Sequence, residues 1–174
     1  MKTNTKKTIS ILLGFLLVTG IALAQPADIP EPGLTPESPF YGLEKASERL
    51  ELAIAQTPVI GSDELESKVR ANHAAETLAE ARAMADRNRT DQVEKLMERY
   101  SENMNKSIER ASSSNHTELK ERLGNVTTRQ NNVLRELQEK VPEKARKGIQ
   151  NAIDKNGKNR EKLGRGKEAA SENP

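Results

Sequence analysis

The sequence predicts an all-α protein, an antiparallel helical bundle or a set of long helical hairpins, behind an N-terminal signal peptide and a Pro-rich linker. Two observations lead there. Between residues 39 and 155, apolar residues recur at spacings of three and four in one segment after another, as one face of a helix requires. Outside the N-terminal segment there is no sustained alternation with period two, so strand signals are missing.

The chain opens with Met1, Lys2, Lys6 and Lys7, followed by an apolar run over residues 9–24 broken by Ser10, Gly14, Thr19 and Gly20. Ala22-Leu23-Ala24 and Gln25-Pro26 close it. A basic start, a short apolar stretch and an Ala-x-Ala exit are the parts of a secretory signal. The stretch is also shorter than the ~20 residues of a spanning helix. Cleavage after Ala24 is expected, leaving a secreted or cell-surface chain; an uncleaved segment would instead anchor it to a membrane. Residues 25–38 form the linker, where Pro26, Pro30, Pro32 and Pro36 favour extended backbone.

The helical domain is placed at residues 39–155. Its first helix runs from about Pro39 to Gln56, with Leu43, Ala46, Ser47, Leu50, Ala53 and Ile54 on one face, and Pro58 and Gly61 end it. Ser62 is the expected cap of the second helix, followed by Asp63 and Glu64 at its positive end. Ala71, Ala74, Ala75, Leu78, Ala81 and Ala85 give that helix a stripe of small residues that allows close approach. Thr90 is expected to cap the third helix, whose seam is Val93, Leu96, Met97, Tyr100, Met104, Ser107, Ile108 and Ala111.

Ser112-Ser113-Ser114 interrupts the pattern, and Asn115 with Glu118 has the spacing of a capping box for the fourth helix. There Leu119, Leu123, Val126, Gln130, Val133, Leu134, Leu137 and Val141 hold the same spacing. The short turn predicts that the third and fourth helices lie antiparallel with their stripes buried against each other. Pro142 starts a short fifth helix with Ala145, Ile149, Ala152 and Ile153 as its apolar edge. Residues 156–174 are rich in Lys, Gly, Asn, Arg and Glu without periodicity, the composition of a disordered polar tail.

Composition narrows the function. The 174 residues carry 28 basic and 26 acidic side chains; losing three lysines and no acid with the signal takes the formal charge from +2 to −1. Basic residues alternate with acids along the helices, and aromatics make up 2%, so nucleic acid is not an expected partner. Cysteine is absent, leaving helix packing to supply the stability of an exported chain. Thin seams of Leu, Ile, Val, Met and Ala do not build a thick core around a deep apolar pocket. An enzyme is not expected.

Two stretches carry a resemblance. Leu34-Thr35-Pro36-Glu37-Ser38-Pro39-Phe40-Tyr41 and Val141-Pro142-Glu143-Lys144-Ala145-Arg146 resemble segments of an exported, all-helical domain-of-unknown-function family (number 5667) of archaea and bacteria. The resemblance implies a helical fold and an exported location, with no assigned activity. In physical terms, Ser38 can accept a hydrogen bond from the first helix's amides and Pro39 suits its first position. Phe40 and Tyr41 bring most of the mature aromatic area together, and are expected to pin the linker to the bundle.

Candidate chemistry is sparse. His73 and His116 have no second His or Cys at three or four residues' spacing, and both are expected to be solvated. Carboxylates alternate with Lys and Arg, as in Glu118, Lys120, Glu121 and Arg122, the pattern of a solvated face. No catalytic residue, metal ligand set or cofactor is therefore assigned. Asn-x-Ser/Thr occurs at Asn88, Asn105, Asn115 and Asn125, and these are the glycosylation candidates, with Asn88 and Asn115 in expected loops. Val126-Thr127-Thr128-Arg129-Gln130 is similar to the Leu-Thr-x-x-Gln motif of periplasmic stress chaperones of the Spy family.

These features together predict a non-enzymatic exported helical protein, with coiled-coil-like seams, acting through contacts with an unknown protein or an envelope component. A periplasmic-type chaperone is the alternative.

Overall fold

The helical ladder is broken at four places, each with a local cause. At the first, the Gly61 amide donates to the Thr57 carbonyl at 2.7 Å, and a Cβ at residue 61 would lie 2.1 Å from the Ala55 carbonyl oxygen. Only glycine fits there. At the second, Asn88 takes a φ of 58°. The Asn88 and Arg89 amides then donate to the carbonyls of Ala85 and Met84 at 2.9 and 2.8 Å, a left-handed helix stop that Asn tolerates. Residues 114–116 make the third break. The fourth is at Pro142, which has no amide to continue a helix and whose carbonyl accepts from Ala145 and Arg146 at 2.9 and 3.2 Å.

Between the breaks lie α1 (Tyr41–Ala55), α2 (Asp63–Asp86), α3 (Thr90–Ser113), α4 (Thr117–Lys140) and α5 (Glu143–Ser171). The structure, a computed structural model, describes residues 29–171 apart from 59 and 60. The signal peptide at 1–24, the start of the linker and the last three residues of the tail lie outside the described residues.

Ser62 caps α2, its Oγ accepting from the Leu65 amide at 3.0 Å, with Asp63, Glu64 and Glu66 in the first turn. Two other caps differ from expectation. Thr90 is the first residue of α3 and not its cap; the cap position is Arg89, whose guanidinium is drawn to Glu37. Asn115 stands one place ahead of the α4 cap position, His116, so the reciprocal geometry with Glu118 is lost. Ser114 Oγ meets the His116 amide instead, at 3.4 Å.

Helices α2 to α5 form a four-helix bundle, ordered α2, α3, α5, α4 around its circumference, with α1 laid against α2. The most extensive interface joins α2 to α3. Ala71, Ala74, Ala81 and Ala85 of α2 are all buried and let the axes approach. The approach is close enough for Ser67 Oγ to donate to the Ser107 carbonyl at 2.9 Å and for Ser107 Oγ to donate to the Ser67 carbonyl at 2.8 Å.

The expected direct pairing of α3 with α4 is not what forms. The two helices are diagonal across the bundle and make its slightest interface. Their stripes are nonetheless buried: Leu96, Met97, Tyr100, Met104 and Ile108 on α3, and Leu123, Leu134 and Leu137 on α4. The alanine stripe of α2 offers α3 a closer neighbour than the bulky face of α4 does, and the core fills the space between.

The fifth helix is not short. It runs past Lys155 to Ser171, so the segment beginning at residue 156 is helical through residue 171, with Asn156, Asn159 and Leu163 buried. The polar residues are accepted because they have partners. Asn156 donates to the Tyr100 hydroxyl at 2.7 Å and to Asn131 Oδ1 at 2.8 Å, and Asn159 donates to Asn105 Oδ1 at 2.6 Å. These links also set α5 parallel to α3.

Candidate interaction surface

The first helix lies on the bundle with the opposite face from the one its sequence suggests. Its inward residues are Tyr41, Lys45, Glu48, Leu52 and Ala55, half-buried or buried, while Leu43, Ala46, Leu50, Ala53 and Ile54 are exposed. The expected apolar core face of α1 is therefore its outer surface. The reason lies in α2, which sets the carboxylate of Glu80, wholly buried, among its alanines. A buried carboxylate needs hydrogen-bonding partners and a countercharge. Glu80 accepts from the Tyr41 hydroxyl at 2.9 Å and from Lys45 Nζ at 2.7 Å.

Around that pair, Lys45 also meets Glu48. Arg99 of α3 donates to the Tyr41 hydroxyl and lies 3.5 Å from Glu48. Lys45 and Arg99 stand 5.0 and 5.8 Å from the Tyr41 ring centroid, within cation–π range. Burial, with Glu80 next, pushes the Tyr41 hydroxyl up from its ordinary value. Beside the network, Glu76 is pushed up to about 7, first by burial and then by the neighbouring Glu48, Glu51 and Glu44, against the pull of Lys45.

The segment ahead of α1 is docked rather than extended. Thr35 is buried, and its carbonyl accepts from the Ser38 amide at 2.8 Å, closing a turn. Glu37 pairs with Arg89 and lies 3.5 Å from Arg87, which donates to Thr35 Oγ1 at 3.2 Å. The Leu34 amide donates to Glu44 Oε2 at 2.7 Å. This segment thus straps the α2–α3 connection to the start of α1. Ser38 Oγ accepts from the Phe40 amide at 3.3 Å, while Pro39 lies in the turn before α1, whose first residue is Tyr41. Of the two aromatics, only Tyr41 pins the segment; Phe40 is 64% exposed.

The other sequence candidates separate by burial. His73 is not solvated: it is buried on α2 with Nε2 3.2 Å from Glu51, a position it reaches because α1 covers it. His116 is exposed, 3.3 Å from Glu64. Glu66 departs from the solvated pattern too, being buried between Arg70 and Arg110 at 2.7 and 2.8 Å. Burial alone would raise its carboxyl, but bonds from Gln56 and Arg70, with Arg110 nearby, hold it below the usual range.

Asn88 and Asn115 are exposed in loops, and Asn125 is exposed on α4. Asn105 is tied to Asn159, and the Ser107 of its sequon is buried. Thr127 donates to the Leu123 carbonyl at 2.7 Å, and Gln130 accepts from the Tyr100 hydroxyl at 2.9 Å, so the chaperone-like stretch is turned into the core.

The described surface has open depressions of about 640 Å³ beside Gln138, Glu143, Arg146 and Gln150, and of about 400 Å³ beside Glu64, Lys68, His116 and Arg122. Among the described residues no group of three or more His, Cys, Asp or Glu is placed to hold a metal ion. No described helix is long and apolar enough to cross a membrane.

A family model described as a domain of unknown function (DUF5667) matches residues 33–144, more than half of the chain. The chain belongs to this family. The DUF5667 match takes in the strap, α1 and the bundle through the start of α5; the rest of α5 lies beyond it. No curated protein and no solved structure matches the chain.

The buried anchor of α1 escaped the reading of the sequence, although one signal was there. Glu80 interrupts the run Ala74, Ala75, Leu78, Ala79, Ala81 and Ala85. A carboxylate inside a small-residue stripe, as Glu80 is and Glu76 one turn before it, asks for a cation from a neighbouring helix.

Proposed function

We propose that this protein is an exported, non-catalytic helical protein that acts by contact with another protein or a component of the cell envelope, using the outer face of α1. One observation carries the reading. Leu43 and Leu50 are 70% and 50% exposed along the ridge of a helix whose Tyr41, Lys45 and Glu48 side chains are committed to the bundle. A contiguous apolar stripe of this kind on a helical surface marks a contact site. Export rests on the form of residues 1–24. The non-catalytic part is supported by the open, charged character of the two depressions, unlike the enclosed apolar clefts that take small substrates.

The chaperone alternative has less behind it. The stripes of α3 and α4 are spent on the core, and α1 offers a narrow ridge rather than a concave groove for an unfolded client.

The test is cross-linking in intact cells of a host that exports the tagged chain. The recovered protein should have an intact mass beginning at Gln25. It should form adducts that are lost when Leu43→Asp and Leu50→Asp are combined, with circular dichroism unchanged. Adducts indifferent to the double substitution, or a chain retained in the cytoplasm, would overturn the reading.

A further inference from the structure

The chain contains one Asn-Gly pair, Asn156-Gly157, and it stands where α5 meets both α3 and α4. Asn156 Nδ2 donates to the Tyr100 hydroxyl at 2.7 Å and to Asn131 Oδ1 at 2.8 Å. An asparagine loses its side-chain amide most readily before glycine, because a residue without Cβ lets its backbone nitrogen approach the carboxamide carbon. Packing does not require this glycine. A Cβ at Gly157 would meet nothing within 4 Å, and alanine would suit a helix better.

The segment that carries the pair is lightly held. Among the described residues beyond Ile153, only Asn156, Asn159 and Leu163 are buried, and Leu163 alone of these is apolar. Gly157 and Gly164 weaken the helix around them. Such a segment opens locally at a cost below that of global unfolding. While it is closed the pair is protected. The Gly157 amide belongs to the helical ladder, and the two hydrogen bonds keep the Asn156 carboxamide turned toward α3 and α4. Opening frees both groups.

We propose that Asn156 is a spontaneous deamidation site guarded by the docking of α5, and that its conversion leaves the C-terminal part of that helix undocked. In the open segment the Gly157 backbone nitrogen attacks Cγ of Asn156. The N–Cγ bond forms, the Cγ–Nδ2 bond breaks, and the side-chain nitrogen leaves as ammonia with the proton of the Gly157 amide. Water then opens the cyclic imide at one or other of its carbonyl carbons, giving aspartate or isoaspartate without any change of oxidation state. Neither product fits the old place. A carboxylate has no proton to give to Asn131 or Tyr100, and it would be a buried charge with no cation among its partners. The isoaspartyl form also adds a backbone carbon, which breaks the ladder of α5. Because the chemistry does not run back, each conversion holds the segment open.

The test is to incubate the purified chain at mildly alkaline pH, with and without urea, and to follow residue 156 by peptide mass spectrometry. Conversion in native buffer should be at least about tenfold slower than in urea, because it proceeds only from the open fraction. Leu163→Ala should bring the native rate toward the urea rate while most helicity is retained. Gly157→Ala should suppress conversion in both conditions with the bundle folded. In the converted chain, hydrogen exchange over residues 156–163 should be fast while α3 stays protected. Equal rates with and without urea would overturn the guard, and no conversion in urea would overturn the site. A converted chain whose 156–163 amides stay protected would overturn the undocking.

Discussion

Asn156 donates from Nδ2 to the hydroxyl oxygen of Tyr100 at 2.7 Å, joining α5 to α3 from a segment whose composition is that of a solvated tail. Tyr100 passes the chain of hydrogen bonds on to Gln130 of α4, and Asn156 also reaches Asn131. Burial, only partly offset by the bond from Asn156, raises the Tyr100 hydroxyl well above its ordinary range, so it remains a neutral donor. Three helices thus share one satisfied polar layer within an apolar core, and such a layer favours one register over slipped ones.

Asn156→Ala should lower unfolding stability by about 1–3 kcal/mol, because Asn131 Oδ1 loses its donor inside the bundle. Urea titration with a helical readout measures it. A change indistinguishable from zero would mean that α5 beyond residue 155 does not pack in solution.

Leu134, fully buried on α4, gives the most damaging single change. Leu134→Asp places an unpaired carboxylate in the core, with an expected loss of several kcal/mol, on the scale of the whole stability of a domain. Far-ultraviolet circular dichroism should show an unfolded chain at 25 °C. Retained helicity would show that the α4 stripe is open, and would return weight to the chaperone alternative.

The anchor of α1 can be dissected with two substitutions. Lys45→Met strips the cation from the buried Glu80 and should be the costlier, on the order of 3 kcal/mol or more. Tyr41→Phe removes one donor to Glu80 and should cost about 1 kcal/mol. Hydrogen exchange should speed up in α1 for both while α3 stays protected. Equal effects on α1 and α3 would mean that α1 is not a separable layer.

Glu76 makes stability depend on pH in a direction opposite to most carboxylates. Its folded-state value of about 7 lies above the ordinary 4.5, so between these values the folded chain holds a proton that the unfolded chain has lost. Stability from this group is full below about 4.5 and declines as pH rises through 7. Glu66, held low, acts the other way: its contribution is lost as pH falls through the acid range. Thermal melting should therefore be higher at pH 6 than at pH 8, and Glu76→Gln should flatten that difference. A wild-type melting point independent of pH over this interval would contradict the crowding of Glu76 by Glu44, Glu48 and Glu51.

Helix positions were legible in the sequence because their causes are local. Apolar spacing of three and four, the Ser62 cap, and breaks at Gly61, Asn88 and Pro142 act within a few residues of themselves. The core members of α3 and α4 were legible for the same reason. Which face of α1 turns inward was not, because the apolar stripe and the Tyr41, Lys45 and Glu48 edge each make a plausible interior, and the choice rests with Glu80, 35 residues beyond Lys45.

What the sequence by itself determined, then, is an all-helical chain with known breaks and the core stripes of α2, α3 and α4. Only the tertiary structure decided which helices are neighbours, that α5 continues through a polar stretch, and that α1 wears its apolar side outward. The physical reason is the same in each case. A polar side chain is driven to solvent only when it lacks a partner, and Lys45 finds Glu80, His73 finds Glu51 and Asn156 finds Tyr100 at separations of 22 to 56 residues.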